Sequence, residues 1–380
     1  MLITGVRTFL VNARPDDDRS WVNWLFVRID TDAGIPGYGE CWGWPRVTQT
    51  AIADLQPLLL GQDPRQVARV WQKLYSAIVS HGHTGVVGAG ALTGIEMALW
   101  DISGKALGVP VCALLGGKVR DRVRVYGHAF DDERARYLVE NGFTAMKVFC
   151  TRDCVSRIAA LRSDYGHEID LVVDVGGPPW QTPADAIALG RRLEPHRLLF
   201  YEDAVDSTSL DPLRKVAAAI DVPLAIGEKH AFVHSLLPFV EEGLVDVVQP
   251  DNGRFGGLLQ MQRLAVLADE HGVLMAPHQG SLGPLAEAAA VQLLATVPNF
   301  LIHEHLVDHS PFRRDLLRGA PELVDGCLVV PERPGLGVEL NEDLLEKHPG
   351  SSGMFPSAPD DEEGYQYHAA RRRRADWLAG

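Results

Sequence analysis

The sequence predicts an α/β barrel preceded by a smaller α+β domain, and three observations carry that expectation. From residue 122 onward, eight short apolar runs recur at roughly 25-residue intervals. They are RVRVYGHAF from Arg122, TAMKVF from Thr144, IDLVVDV from Ile169, LLFYEDAV from Leu198, PLAIGEKH from Pro223, VDVVQPD from Val245, VLMAPH from Val273 and FLIHEHL from Phe300. Amphipathic stretches rich in Ala, Leu and Arg separate them, and the segment before them follows a different pattern. Near-continuous apolar strands alternating with helices belong to a parallel sheet covered on both faces, and eight such units suit a closed barrel of the (β/α)8 type. An open doubly wound sheet is the alternative, but no G-x-G-x-x-G follows the first run, as a dinucleotide site of that kind requires.

In chain order, residues 1–120 read as the α+β domain. WVNWLFVRIDTDAGIPGYGE alternates apolar and polar residues around turn signals, as hairpin strands do, and ALTGIEMALWDISGKALG is a helix that stops at Gly108. Residues 121–310 hold the barrel. Its helices include TPADAIALGRRL, opening on Thr182 as N-cap with Pro183 at the first helical position, and GGLLQMQRLAVLADEHG, which stops at Gly272. Residues 311–380 form a C-terminal segment in which PSAPDDEEGYQ and HAARRRRADW suggest a linker and a short charged helix. Its Arg371 to Arg374 run reads as a solvated or salt-bridged tail before it reads as an anion site.

Composition bounds the function. With 46% hydrophobic and 23% charged residues, the 380-residue chain has the make-up of a globular protein with a sizeable core. Its net charge of -14 opposes attraction to nucleic acid or anionic lipid, so no such partner is expected and an anionic substrate must meet local positive charge. The start carries no long apolar stretch and no later segment reads as a membrane span. Five scattered cysteines, Cys41, Cys112, Cys150, Cys154 and Cys327, suit a reducing compartment, and a cytoplasmic location is expected.

Acids at the ends of the apolar runs carry the chemistry. Barrel strands open on one rim at their C-terminal ends, where Asp174 ends the third run, Glu202 the fourth and Glu228 the fifth. Neighbouring strands lie about 4.8 Å apart, so the three carboxylates can converge. Without a cation they would repel one another, and a donor set made only of oxygens favours Mg2+ or manganese over zinc. The next two runs end in Asp251 and His278, so a carboxylate can fix the tautomer of an imidazole one strand away. Glu304 closes the last run between His303 and His305, and in protonated form it could donate a hydrogen bond to a developing oxyanion. Taken singly, each acid reads equally as a helix N-cap or a solvated loop residue.

As an ordered set, GYGE, GIEMALWDISGKALGVPV, GFTAMKVF, VVDVGG, FYEDAV, IGE, VVQPDNGRFGG, APHQGSLG and PNFLIHE resemble the enolase superfamily in its mandelate racemase/muconate lactonizing enzyme branch, closest to the acid-sugar dehydratases. The resemblance spans most of the chain. It implies a (β/α)7β TIM-like barrel with an N-terminal α+β capping domain, and a C-terminal segment that packs back on the cap. It also implies magnesium on Asp174, Glu202 and Glu228, a catalytic dyad of Asp251 and His278, and Glu304 as the electrophilic acid. Such proteins usually form symmetric homo-oligomers.

In many relatives the second strand carries Lys-x-Lys, the second lysine being a base on the face opposite the histidine. Here Lys147 is followed by Phe149 at that place, and a phenyl ring moves no proton. Gly176 likewise stands where some sugar-acid dehydratases carry a histidine. These departures count against two-base racemization and against lactonizing chemistry, and leave dehydration. In that reading Lys147 and magnesium hold the substrate carboxylate, His278 removes the α-proton, and loss of the β-hydroxyl gives a 2-keto-3-deoxy acid. A structural salt bridge from Lys147 to the metal carboxylates is the competing role. Trp42, Trp44 and Arg46 in ECWGWPRVT, with Arg19 and Trp21, are candidates to bind a polyhydroxy acid. An epimerase or racemase of a hydroxy acid is the alternative enzyme, and a non-catalytic metal-binding barrel the alternative outside catalysis.

Overall fold

A computed structural model describes residues 1–15, 22–82, 85–151, 153–177, 180–306 and 311–350. The chain opens with an antiparallel meander, β1 (Ile3–Asn12), β2 (Asn23–Thr31) and β3 (Gly37–Cys41), followed by the helices α1 (Pro45–Leu59), α2 (Val67–Val79), α3 (Gly85–Leu107) and α4 (Val111–Leu114). The α3 helix lies directly on β3, and glycine makes that possible. A Cβ at Gly39 would stand 1.9 Å from the Gly94 carbonyl oxygen and one at Gly37 2.2 Å from that of Ala98. By length and composition α3 could cross a membrane, contrary to the expectation that no segment reads as a span, but most of its residues are buried in this domain.

Strand and helix then alternate: β4 (Arg122–His128), α5 (Asp132–Glu140), β5 (Ala145–Phe149), α6 (Cys154–Tyr165), β6 (Asp170–Asp174), α7 (Pro183–Leu193), β7 (Phe200–Glu202), α8 (Leu210–Ala217), β8 (Leu224–Ile226), α9 (Val233–Glu241), β9 (Val247–Val248), α10 (Leu258–Glu270), β10 (Leu274–Met275), α11 (Pro284–Leu294) and β11 (His303–Glu304). As expected, Thr182 caps α7, its side chain accepting from the Asp185 N–H, with Pro183 at the first position. Strands β4 to β10 are parallel neighbours in sequence order, and β11 pairs with β4. A parallel bridge between Met275 and Phe300, with Leu301 N donating to Met275 O at 2.9 Å, links β10 to the residues before β11. This is the (β/α)7β barrel with an N-terminal cap.

One interior layer takes a residue from each stave: Tyr126, Ala145, Val172, Phe200, Ala225, Val247, Ala276 and Ile302 form a single buried cluster. Large and small side chains share the layer, as a filled barrel requires.

After β11 come α12 (Pro311–Asp315), β12 (Leu317–Arg318), β13 (Leu323–Val324), β14 (Cys327–Val329), β15 (Glu339–Leu340) and α13 (Glu342–Lys347). The β14 strand runs antiparallel to the start of β4. Glu342 then hydrogen-bonds Arg28 and Tyr38 of the N-terminal sheet, and Pro349 bridges Val11. The Arg371 to Arg374 run lies outside the described residues.

Two buried glutamates join cap to barrel. Glu40 accepts from the N–H groups of Gly283, Leu285 and Ala286 at the start of α11, and Glu96 accepts from Leu258 and Leu259 at the start of α10. Helix N-termini leave such donors unpaired and favour negative charge, so each acid satisfies a helix of the other domain.

Candidate active site

Side chains two apart on a strand share a face, so the residues two beyond the interior layer form the next layer towards the C-terminal rim. They are His128, Lys147, Asp174, Glu202, Gly227, Gln249, His278 and Glu304. All but the glycine are polar and buried. At Gly227 a Cβ would lie 2.6 Å from the Gln249 carbonyl carbon, so the backbone itself fills that place and Glu228 enters from one residue later. A cavity of about 410 Å³ is lined by His128, Lys147, Asp174, Glu228, His278 and Glu304 from the barrel and by Arg14, Trp24 and Trp42 from the cap.

Asp174 and Glu202 are brought together through Lys147, whose ammonium stands 3.0 Å from Asp174 Oδ2, 3.2 Å from Glu202 Oε1 and 2.8 Å from Glu304 Oε1. Burial would depress this lysine, but the acids around it hold it well above its ordinary range. Glu228 pairs instead with Lys229 and with His278, whose Nε2 is 2.7 Å from its Oε2. Lys229 also bonds Asp203 and the Gly176 carbonyl. Among the described residues, no three His, Cys, Asp or Glu side chains are gathered as a group that could hold an ion. The three acids are thus compensated by ammonium groups, Lys147 beside Asp174 and Glu202 and Lys229 beside Glu228, which is the competing salt-bridge role expected for Lys147. The physical reason is plain: like charges buried side by side require compensation, and lysines are within reach.

The donor chemistry nonetheless fits a hard divalent cation. Asp174, Glu202 and Glu228 offer only oxygens from adjacent strand ends, and Glu202 is pushed up to about 8 by burial and by the charge of Asp174, despite Lys147. Asp203 adds a further buried oxygen, Oδ1, that has no hydrogen-bond partner among the described residues.

His278 Nδ1 lies 2.6 Å from Asp251 Oδ2, and a parallel bridge between the two residues sets that contact. Burial opposes the charged imidazole, but Glu228, Glu304 and Asp251 raise it well above the ordinary histidine range. Glu304 is surrounded by hydrogen-bond partners. Its Oε2 accepts from the N–H of Gln279 at 2.8 Å and of Gly280 at 2.9 Å, while Oε1 meets Lys147 and His128. Burial would raise it, but Lys147, His278 and His128 overcome that and hold it well below the carboxylate range. His303 and His305 face elsewhere, onto the Pro277 carbonyl and onto Glu287.

The structure also separates the cap residues. Trp42 lines the cavity, whereas Trp44 and Arg46 do not; Trp44 precedes α1 with φ of 64° and is 57% exposed, because the turn into that helix carries it outward. Arg19 and Trp21 lie outside the described residues. His128, Gln249, Asp203, Lys229 and Arg254 were not singled out from the sequence. His128 and Gln249 had a signal, since both stand two places beyond an interior residue. Gln249 Nε2 donates to Glu202 at 3.0 Å, and Arg254 Nε donates to the Glu228 carbonyl at 2.8 Å.

A capped barrel with its polar side chains converging at the strand C-termini defines a two-domain barrel enzyme. Residues 18–116 match the mandelate racemase / muconate lactonizing enzyme N-terminal domain, and residues 130–344 match the enolase C-terminal domain-like family. A D-galactarolactone cycloisomerase of Agrobacterium fabrum is 34% identical over 374 residues, covering 91% of this chain and 98% of that protein. A D-galactonate dehydratase of Verminephrobacter eiseniae is 34% identical over 371 residues, covering 91% and 94%. Among solved structures, an enolase from Pantoea ananatis with bound D-gluconate and magnesium superposes with a TM-score of 0.83 at 27% identity, covering 93% of this chain and 95% of that one. The chain belongs to the mandelate racemase/muconate lactonizing enzyme family of the enolase superfamily.

Proposed function

We propose that the protein is a magnesium-dependent dehydratase of a sugar acid, an aldonate or aldarate, that forms a 2-keto-3-deoxy acid. The observation that carries this reading is the His278–Asp251 pair set against the buried acids of the neighbouring strand ends, with Phe149 in the place of a second base. Relatives named D-galactonate dehydratase support it. Enolase-superfamily sites use a lysine or histidine base together with magnesium. A divalent ion held by Asp174, Glu202 and Glu228 would draw charge from the substrate carboxylate and acidify the neighbouring C–H.

The chain's own residues do the rest. Lys147 lies on the cavity wall between Asp174 and Glu304, where its ammonium can meet a substrate carboxylate. Asp251 fixes the tautomer of His278, whose Nε2 takes the α-proton and, once protonated, returns it to the departing β-hydroxyl as water leaves. Trp24 and Trp42 with Arg14 line the cavity on the cap side. An aldonate and aldarate panel incubated with magnesium, read by 2-keto acid formation, tests the proposal. Solvent-deuterium exchange at the α-carbon without loss of water would favour an epimerase instead.

A second reading is favoured by the Agrobacterium relative. A cycloisomerase acting on a galactarolactone suggests elimination in which the leaving oxygen belongs to a lactone ring. Sugar lactones belong in the same panel. Turnover of lactones alone would displace the dehydratase reading.

A further inference from the structure

His128 is the rim residue that the proposed reaction leaves unused. It ends β4 opposite Lys147 in the β4–β5 register and lines the cavity. Its Nε2 lies 2.7 Å from Glu304 Oε1, and Nδ1 has no hydrogen bond that the described residues provide. Phe130 and Phe149 meet the ring edge-on, with centroids at 5.5 and 5.4 Å, and stack on each other at 5.8 Å and 7°. Two aromatic walls of this kind fix the plane of the imidazole.

The two oxygens of Glu304 are used differently. Oε2 is held by two backbone N–H groups, with His278 Nε2 at 3.6 Å. Oε1 is shared between Lys147 and His128. A carboxylate that accepts on both oxygens cannot itself donate to an oxyanion, so a donor must bring a proton to it. Lys147 shares its ammonium among Asp174, Glu202 and Glu304, and His278 Nε2 faces Glu228. The imidazole on Oε1 is that of His128, whose ring nitrogen can pass a proton along that contact.

We propose that His128 and Glu304 act as one electrophilic pair in which His128 supplies the proton that meets the enediolate oxygen. This rests on the α-proton abstraction proposed above. When the α C–H bond breaks, its proton goes to His278 Nε2 and its electron pair enters the bond to the carboxyl carbon, placing charge on a carboxylate oxygen. The proton shared by His128 Nε2 and Glu304 Oε1 moves onto that oxygen. It returns to the pair as the β C–O bond breaks; the hydroxide takes its proton from His278 and leaves as water.

His128→Gln, which keeps an N–H donor but cannot carry a transferable proton, is the test, with His128→Asn measured beside it. Both should lower α-proton exchange and elimination together by roughly 10²-fold or more, with little change in KM. An aldonohydroxamate, which mimics the enediolate, should lose affinity by a similar factor while the sugar acid keeps its own. In a Glu304→Gln background the His128 substitution should cost nothing further, since the pair acts as a unit. Wild-type rates in His128→Gln, equal losses of affinity for acid and hydroxamate, or losses that multiply with Glu304→Gln would each overturn the proposal. Exchange without 2-keto acid in the wild type would instead remove the dehydratase reading, and the pair would still be judged on exchange and hydroxamate binding.

Discussion

Glu40 and Glu96, at the junction of cap and barrel, are as deeply buried as Asp174 and Glu202 on the rim, but their partners differ in kind. The junction acids accept backbone N–H groups at helix starts, which are fixed donors that no reaction displaces. The rim acids are held by side-chain groups, Lys147, Lys229 and His278, rather than by backbone N–H groups. Burial alone therefore does not distinguish a structural acid from a working one. The kind of partner differs between the two regions, and substitutions in them should separate cleanly.

The largest expected effect is on the rim. His278→Ala should lower α-proton exchange by roughly 10²- to 10⁴-fold. It should leave magnesium affinity nearly intact, as measured by NMR in 2H2O and by calorimetry. Next comes Asp251→Asn, which keeps the shape of the dyad but weakens its hold on the tautomer and should cost roughly 10- to 100-fold in rate. Retained turnover in His278→Ala would remove the assigned base.

At the junction, Glu40→Gln and Glu96→Gln should leave rates unchanged and lower stability by about 1–3 kcal/mol each, read from urea unfolding. The same variants sharpen the comparison through pH. Burial raises Glu40 and Glu96 from the ordinary 4.5 to about 7, so the folded chain binds more protons than the unfolded one between those values. Their contribution is then complete below about pH 4.5 and is lost as pH rises through about 7. Unfolding free energy should fall over that window in the parent chain, and the double variant should flatten the slope; an unchanged slope would assign the pH dependence to other groups.

Much of this arrangement is legible in the sequence because the barrel is periodic. The apolar runs mark the staves, and Asp174, Glu202 and Glu304 are the last residues of strands β6, β7 and β11. His128 and Gln249 escaped because a histidine after Tyr-Gly and a glutamine before Pro look ordinary until the interior layer supplies the register. The partners of Glu304, His128, Lys147 and His278, escaped because they come from β4, β5 and beyond β10, distances along the chain that no local pattern reports. Trp44 and Arg46 share a motif with Trp42, but the turn into α1 sends only Trp42 to the cavity.

Metal binding by the rim acids can be measured without any substrate. Calorimetric titration of magnesium or manganese into the parent chain should show one ion bound per chain, with binding lost or greatly weakened in Glu202→Gln and unaffected in Glu40→Gln. An unchanged affinity in Glu202→Gln, or no binding by the parent chain, would contradict the account.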